Sequence, residues 1–126
     1  MTSGLTFDAG GLLALDRGDR RIIVLLARAE ETGATMTVPA TALAQAIRRP
    51  ERQVQLARLI RQPKTDVVAL DRVDASNVGR LLAASGTADV CDAHVVICAR
   101  RQGQRVVTSD PGDLRGLDPS IDLLEI

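Results

Sequence analysis

Five short apolar runs recur along the 126 residues, each followed by a stretch with helical periodicity or a turn, and this alternation leaves few folds open. The runs are Leu5-Thr6-Phe7, Thr35-Met36-Thr37-Val38, Val67-Val68-Ala69-Leu70, Val106-Val107-Thr108 and the segment Ile121 to Ile126. Strands alternating with helices pair in parallel through right-handed crossovers. The pattern therefore predicts one α/β domain over residues 1–126, with three α/β/α layers around a mostly parallel sheet of four or five strands.

The helices follow from local signals. A short one over Leu12, Leu13 and Leu15 closes at Arg17-Gly18. Asp19 caps a second, whose inner face is Ile22, Ile23, Leu25, Leu26 and Ala29, and Gly33 ends it. Pro39 opens a third at its first helical position, running from Ala40 to about Arg48. Arg52 to Arg61 follows, with Val54, Leu56, Leu59 and Ile60 turned inward. Asp71 or Asp74 caps a helix carrying Val73, Val78, Leu81 and Leu82. Ala88 to Gln102 is apolar nearly all round after its first turn, which predicts burial. Pro111 to Leu117 is a short helix or turn.

Composition narrows the core and the partners. Phe7 is the only aromatic residue, so the core must be built from Leu, Val, Ile and Ala, and no aromatic platform exists for stacking nucleic-acid bases. Cys91 and Cys98, seven residues apart on one helix, stand ~10 Å apart at 1.5 Å per residue, too far to bridge. They read as small buried apolar residues kept reduced, and with no membrane-length run and no leader-like N-terminus the expected location is cytoplasmic, with no membrane partner. Net charge is zero, yet residues 48–64 hold Arg48, Arg49, Arg52, Arg58, Arg61 and Lys64 against Glu51 alone. That local excess permits a nucleic-acid face, with Arg48, Arg49 and Arg52 as its candidates; for any one of them a solvated helix face explains the charge equally well.

The acids carry the chemistry. In an open parallel sheet the ligand site forms at the carboxyl ends of the strands. Asp8 directly follows the first strand, Asp110 follows the fourth by one residue, and Asp92 stands near the start of the buried helix. Carboxylates brought together repel and resist ionisation unless a cation compensates them. Mg²⁺ or Mn²⁺ does so, being hard ions that favour oxygen ligands, and can activate water against a phosphodiester. Each acid also has a purely structural reading. Asp8 can cap the helix beginning at Ala9, Asp110 can shape a turn before proline, Asp89 can serve the helix dipole and Asp113 can be turn polarity. Asp92 is too far into its helix to cap it, and it tips the set toward metal. His94, two positions on, faces elsewhere and reads as a packing histidine. Thr108 and Ser109 are candidates to position a phosphate or water. Gly10-Gly11 is too short for a phosphate loop.

Taken together, Leu5-Thr6-Phe7-Asp8-Ala9, Val38-Pro39-Ala40-Thr41-Ala42-Leu43-Ala44-Gln45, Asp89-Val90-Cys91-Asp92-Ala93 and Val107-Thr108-Ser109-Asp110-Pro111-Gly112-Asp113-Leu114 resemble the PIN-domain family, in particular its VapC toxin branch. The resemblance implies a PIN-like fold and a Mg²⁺- or Mn²⁺-dependent endoribonuclease, the toxin of a type II toxin–antitoxin system, cutting structured RNA such as tRNA or rRNA. It also implies a homodimer neutralised by a cognate VapB-like antitoxin. By position, Asp8, Asp92 and Asp110 match the family's metal-binding acids, and Asp89 and Asp113 match acids often found beside them. The family's usual glutamate on the helix after Val-Pro-Ala is here Gln45, whose amide can ligate a cation or hold water but brings no charge and no base. This departure keeps open a second reading, a catalytically weak domain that binds antitoxin or RNA. A phosphoacceptor receiver domain has similar architecture, and Asp71 stands where its aspartate would. The only lysine, Lys64, precedes that strand and speaks against it.

Overall fold

The computed structural model describes residues 4–126. Five strands, β1 (Leu5–Phe7), β2 (Met36–Pro39), β3 (Thr65–Val68), β4 (Arg105–Thr108) and β5 (Leu123–Glu125), form one sheet in the order β3-β2-β1-β4-β5. Every pairing is parallel. The seven helices are α1 (Ala9–Asp16), α2 (Arg20–Thr32), α3 (Ala40–Ala46), α4 (Val54–Arg61), α5 (Arg72–Ser85), α6 (Val90–Gln102) and α7 (Pro111–Leu117), with one 3₁₀ turn at Pro50–Arg52. The predicted three-layer α/β/α architecture is the one observed. α1 and α4 pack on one side of the sheet, α6 lies across β1, β2 and β4 on the other, and α3 touches both α1 and α6.

Phe7 lies on the central strand and is fully buried among Leu12, Ile22, Val38, Val95, Val96, Val106, Val107 and Leu114. α6 is buried along Ala93–Val96 and at Cys98 and Ala99, as its nearly continuous apolar surface requires. Both cysteines are free, but only Cys98 is buried as expected; Cys91, in the first turn of α6, is partly exposed.

Several boundaries differ from the sequence reading, each for a local reason. β3 lies two residues earlier than Val67–Leu70, because β2 ends at Pro39 opposite Val68 and leaves Ala69 and Leu70 without a strand to pair with. Pro39 is the last residue of β2 and the N-cap of α3, not its first helical residue. α3 stops at Ala46 rather than near Arg48, because Ile47 turns extended and Gln53 captures the chain beyond it. That buried amide accepts from the Arg48 and Arg49 N–H groups (2.9 and 3.2 Å) and donates to the Ala46 carbonyl (2.7 Å). α4 accordingly begins at Val54, after the turn, rather than at Arg52. α6 begins at Val90 instead of Ala88 because Asp89 caps it, and Asp71, not Asp74, caps α5. The last strand is confined to Leu123–Glu125, the residues that β4 can pair. Three residues expected to face inward are exposed: Ile23, Val54 and Val73, the last at 65 %.

The glycines after Asp8 do something their sequence context did not reveal. A Cβ on Gly11 would stand 2.5 Å from the Val107 carbonyl oxygen, and one on Gly10 would meet the Ser109 hydroxyl. Their bare backbone lets the first turn of α1 press against the end of β4. Gly11→Ala should therefore destabilise the fold by about 1–3 kcal/mol despite alanine's better helix propensity, since backbone cannot move aside as a side chain can. Chemical denaturation checks this; an unchanged midpoint would refute the close packing.

Candidate functional site

The strand order reverses at β1, which lies between β2 and β4, and the two strands that precede Asp8 and Asp110 are neighbours. Phe7 registers with Val107, so Asp8 emerges beside Thr108. At such a switch point the loops leaving adjacent strands diverge and open a crevice. Asp8 is almost fully buried and caps α1, accepting from the Gly11 amide at 2.7 Å. Its capping role and its place in the crevice are thus the same geometry. Burial raises its carboxyl above the usual range; the Thr108 hydroxyl and Gly11 amide oppose this, and the nearby Asp110 charge adds to it.

Asp92 is the focus of the crevice. It is half-buried in the first turn of α6, and its carboxyl is pushed up to about 7, first by desolvation and then by the charges of Asp89, Asp8, Asp113 and Asp110. All four other acids singled out in the sequence therefore stand close enough to act on this one group. Asp89 caps α6 by accepting from the Asp92 amide at 2.9 Å. Asp113, in the first turn of α7, is raised by a hydrogen bond shared with Asp110 and by that residue's charge. Five carboxylates, at the ends of β1 and β4 and at the starts of α6 and α7, thus act on one another through their charges, and their mutual repulsion is the property a cation would relieve.

The remaining predicted residues are placed differently. Thr108 is fully buried, and its Oγ1 accepts from the Asp110 amide at 2.9 Å, so it braces the two strand-end acids from below. Ser109 is exposed beside Gly10. Gln45 is exposed on the last turn of α3, and among the described residues its side chain makes no hydrogen bond to an acid. Arg48, Arg49 and Arg52 are exposed and make no ion pair among the described residues. The Arg48 guanidinium bonds the Gln45 backbone carbonyl at 3.1 Å instead of a carboxylate.

Sequence reasoning missed a second polar cluster. His94 is fully buried, with Nδ1 2.9 Å from Thr41 Oγ1 and Nε2 3.1 Å from Asp74 Oδ2. The packing role expected of His94 is the one it has. Ligand atoms of Asp74, His94 and Cys98 lie within 4.8 Å of one another, a spacing a soft cation could use. Arg101 already occupies that place, donating to both Asp74 oxygens at 2.8 and 2.7 Å, and burial pushes the Cys98 thiol up to about 11. The cluster is neutralised from within. Its only sequence trace was an aspartate inside an otherwise amphipathic helix.

Away from the acids, a groove of about 540 Å³ runs between α2 and α4. Leu15, Leu26, Met36 and Leu59 line it, together with the charged Glu30, Arg58 and Lys64. No single helix among the described residues is long and apolar enough to cross a membrane.

No family model and no curated protein matches the chain. Solved structures do. A chain of VapBC2 from Rickettsia felis, in a crystal structure bound to a DNA fragment from their promoter, superposes with a TM-score of 0.68 at 12 % identity, covering 98 % of each chain. A chain of FitAcB from Neisseria gonorrhoeae gives a TM-score of 0.60 at 12 % identity over 96 % of each chain. A chain of FitAB bound to an IR36 DNA fragment gives 0.62 at 11 %, over 96 % of this chain and 94 % of that one. At this identity the likeness establishes the fold: the chain is an α/β/α domain of the same architecture as these proteins, end to end.

Proposed function

We propose that the five-acid crevice binds Mg²⁺ or Mn²⁺ and that the protein is a metal-dependent endoribonuclease, the toxin of a toxin–antitoxin pair. What supports this is that Asp8 and Asp110 leave neighbouring strand ends and that their charges, with those of Asp89 and Asp113, act on Asp92, so that the donors on offer are carboxylate oxygens. Such a donor set suits a hard divalent cation and gives nothing to a soft one. Asp8, Asp92 and Asp110 would hold the ion, with Asp89 and Asp113 supplying the charge that Gln45 does not. When bound, the cation supplies Lewis-acid charge and an acidified water for attack on phosphorus. Arg48, Arg49 and Arg52, without ion pairs among the described residues, offer a sequence-tolerant hold on RNA phosphates. Full-length structural likeness to chains of VapBC2 and FitAcB supports the toxin–antitoxin setting. The α2–α4 groove, largely apolar and carrying Glu30, Arg58 and Lys64, suits an amphipathic antitoxin segment.

The direct test is cleavage of structured RNA by purified protein with and without Mg²⁺, alongside Asp8→Asn. Cleavage should require the metal and vanish in the variant; cleavage retained by Asp8→Asn would sink the proposal. Exposed Gln45 favours a second reading, a catalytically weak domain that retains partner or RNA binding. Gln45→Glu separates the two: activity appearing only in that variant would assign the natural chain to the binding module.

A further inference from the structure

The first turn of α6 is anchored by polar contacts on both sides of Asp92. One residue before it, Cys91 Sγ lies 3.7 Å from the Thr41 carbonyl oxygen. Two residues after it, His94 bonds the Thr41 hydroxyl through Nδ1 and Asp74 through Nε2. Thr41 sits on α3 and Asp74 on α5, and Arg101 clamps Asp74 from the far end of α6. Apart from Cys98, the rest of the buried face of α6 is small and aliphatic: Ala93, Val95, Val96 and Ala99. Contacts of that kind are non-directional and tolerate small slides and rotations of a helix. Hydrogen bonds to a fully buried imidazole do not, because their geometry is narrow and a broken one leaves an unpaired polar group in the core.

We infer that Thr41, His94 and Asp74 are positioning residues, which fix the axial and rotational setting of α6 and so hold the Asp92 carboxylate against Asp8 and Asp110. This rests on the reading of the acids as a cation site, but its geometric content stands without the ion. Hydrogen-bonded groups behind a ligand commonly tune cation affinity 10- to 100-fold, and an effect through one helical turn belongs near the lower bound.

Thr41→Val keeps shape and removes one hydrogen bond; His94→Gln is the stronger change. Arg100→Ala, which breaks the 2.8 Å bond to Asp118 at the opposite end of the same helix, is the control. Two readouts are needed: the side-chain carboxyl ¹³C signals of Asp8, Asp92 and Asp110 in metal-free protein, and Mn²⁺ affinity by calorimetry. Both α3–α6 variants should move the Asp92 signal and weaken Mn²⁺ binding by about tenfold, whereas Arg100→Ala lowers Tm and moves neither. Variants of Thr41 and His94 that lower Tm yet keep the wild-type Asp92 signal and Mn²⁺ affinity would overturn the inference. If the natural protein binds no Mn²⁺, the cation reading fails, and the carboxyl signals alone decide the positioning role.

Discussion

Asp92→Asn is expected to stabilise the metal-free protein at pH 8 while lowering Mg²⁺-dependent RNA cleavage more than about 100-fold, beyond what loss of an outer-shell contact costs. The two effects share a cause. With its carboxyl at about 7 in the folded state against 3.8 as the ordinary value, Asp92 keeps its proton on folding over most of that interval. The folded protein then holds a proton that the unfolded chain has lost, so stability falls as pH rises from about 4 to about 7 and stays low above it. Three pH units correspond to about 4 kcal/mol, which solvent screening of a half-buried group reduces to roughly 1–2 kcal/mol. An asparagine carries no such penalty. Thermal melts of both proteins from pH 5 to pH 9 test this: the natural chain should lose stability toward pH 7 and the variant should lose much less of it. Identical pH slopes would mean that neither burial nor the other four acids raise the Asp92 carboxyl.

Mn²⁺ should reverse the same penalty. A ligand that binds only the folded state stabilises it by about 2.7 kcal/mol at 100 times its Kd. For a chain of this size that corresponds to a rise in Tm of roughly 10 °C. Because the ion needs ionised carboxylates, the gain should be small at pH 5.5, where Asp92 is protonated, and approach its full size above pH 7.5. Calorimetry should also register proton release on binding near neutral pH. A Tm rise independent of pH would place the ion away from Asp92. Asp8→Asn should reduce the shift, since it removes a buried, strand-end acid from the same crevice.

The legibility of this protein in its sequence was uneven, and the unevenness has a physical origin. Strands, caps and glycine stops are short-range properties. Asp19 before α2 and Gly33 at φ +70° follow from the conformational preferences of the residues themselves. Topology forces strand-end residues of a parallel sheet to one edge, so Asp8 and Asp110 needed no tertiary knowledge to be placed at the same edge. What went astray were properties that depend on a distant partner. The end of α3 is set by Gln53, which lies beyond the turn and gives no local warning. The exposure of Val73 and Ile23 depends on which helix face meets the sheet, and an apolar residue beside the true inner stripe looks the same on paper.

From the sequence alone came the α/β alternation, the parallel sheet, an aliphatic core around a single phenylalanine, and a constellation of Asp8, Asp92 and Asp110. These rest on periodicity, turn chemistry and connectivity, which act over a few residues. Only the tertiary structure decided the rest. It set β1 beside β4, so that the strand order reverses between the two acids. It drew Asp89 and Asp113 into the same field, and it placed a buried His94–Asp74–Arg101 network behind α6. Those outcomes depend on distances between residues far apart in the chain, and electrostatic repulsion and hydrogen bonding respond only to distance.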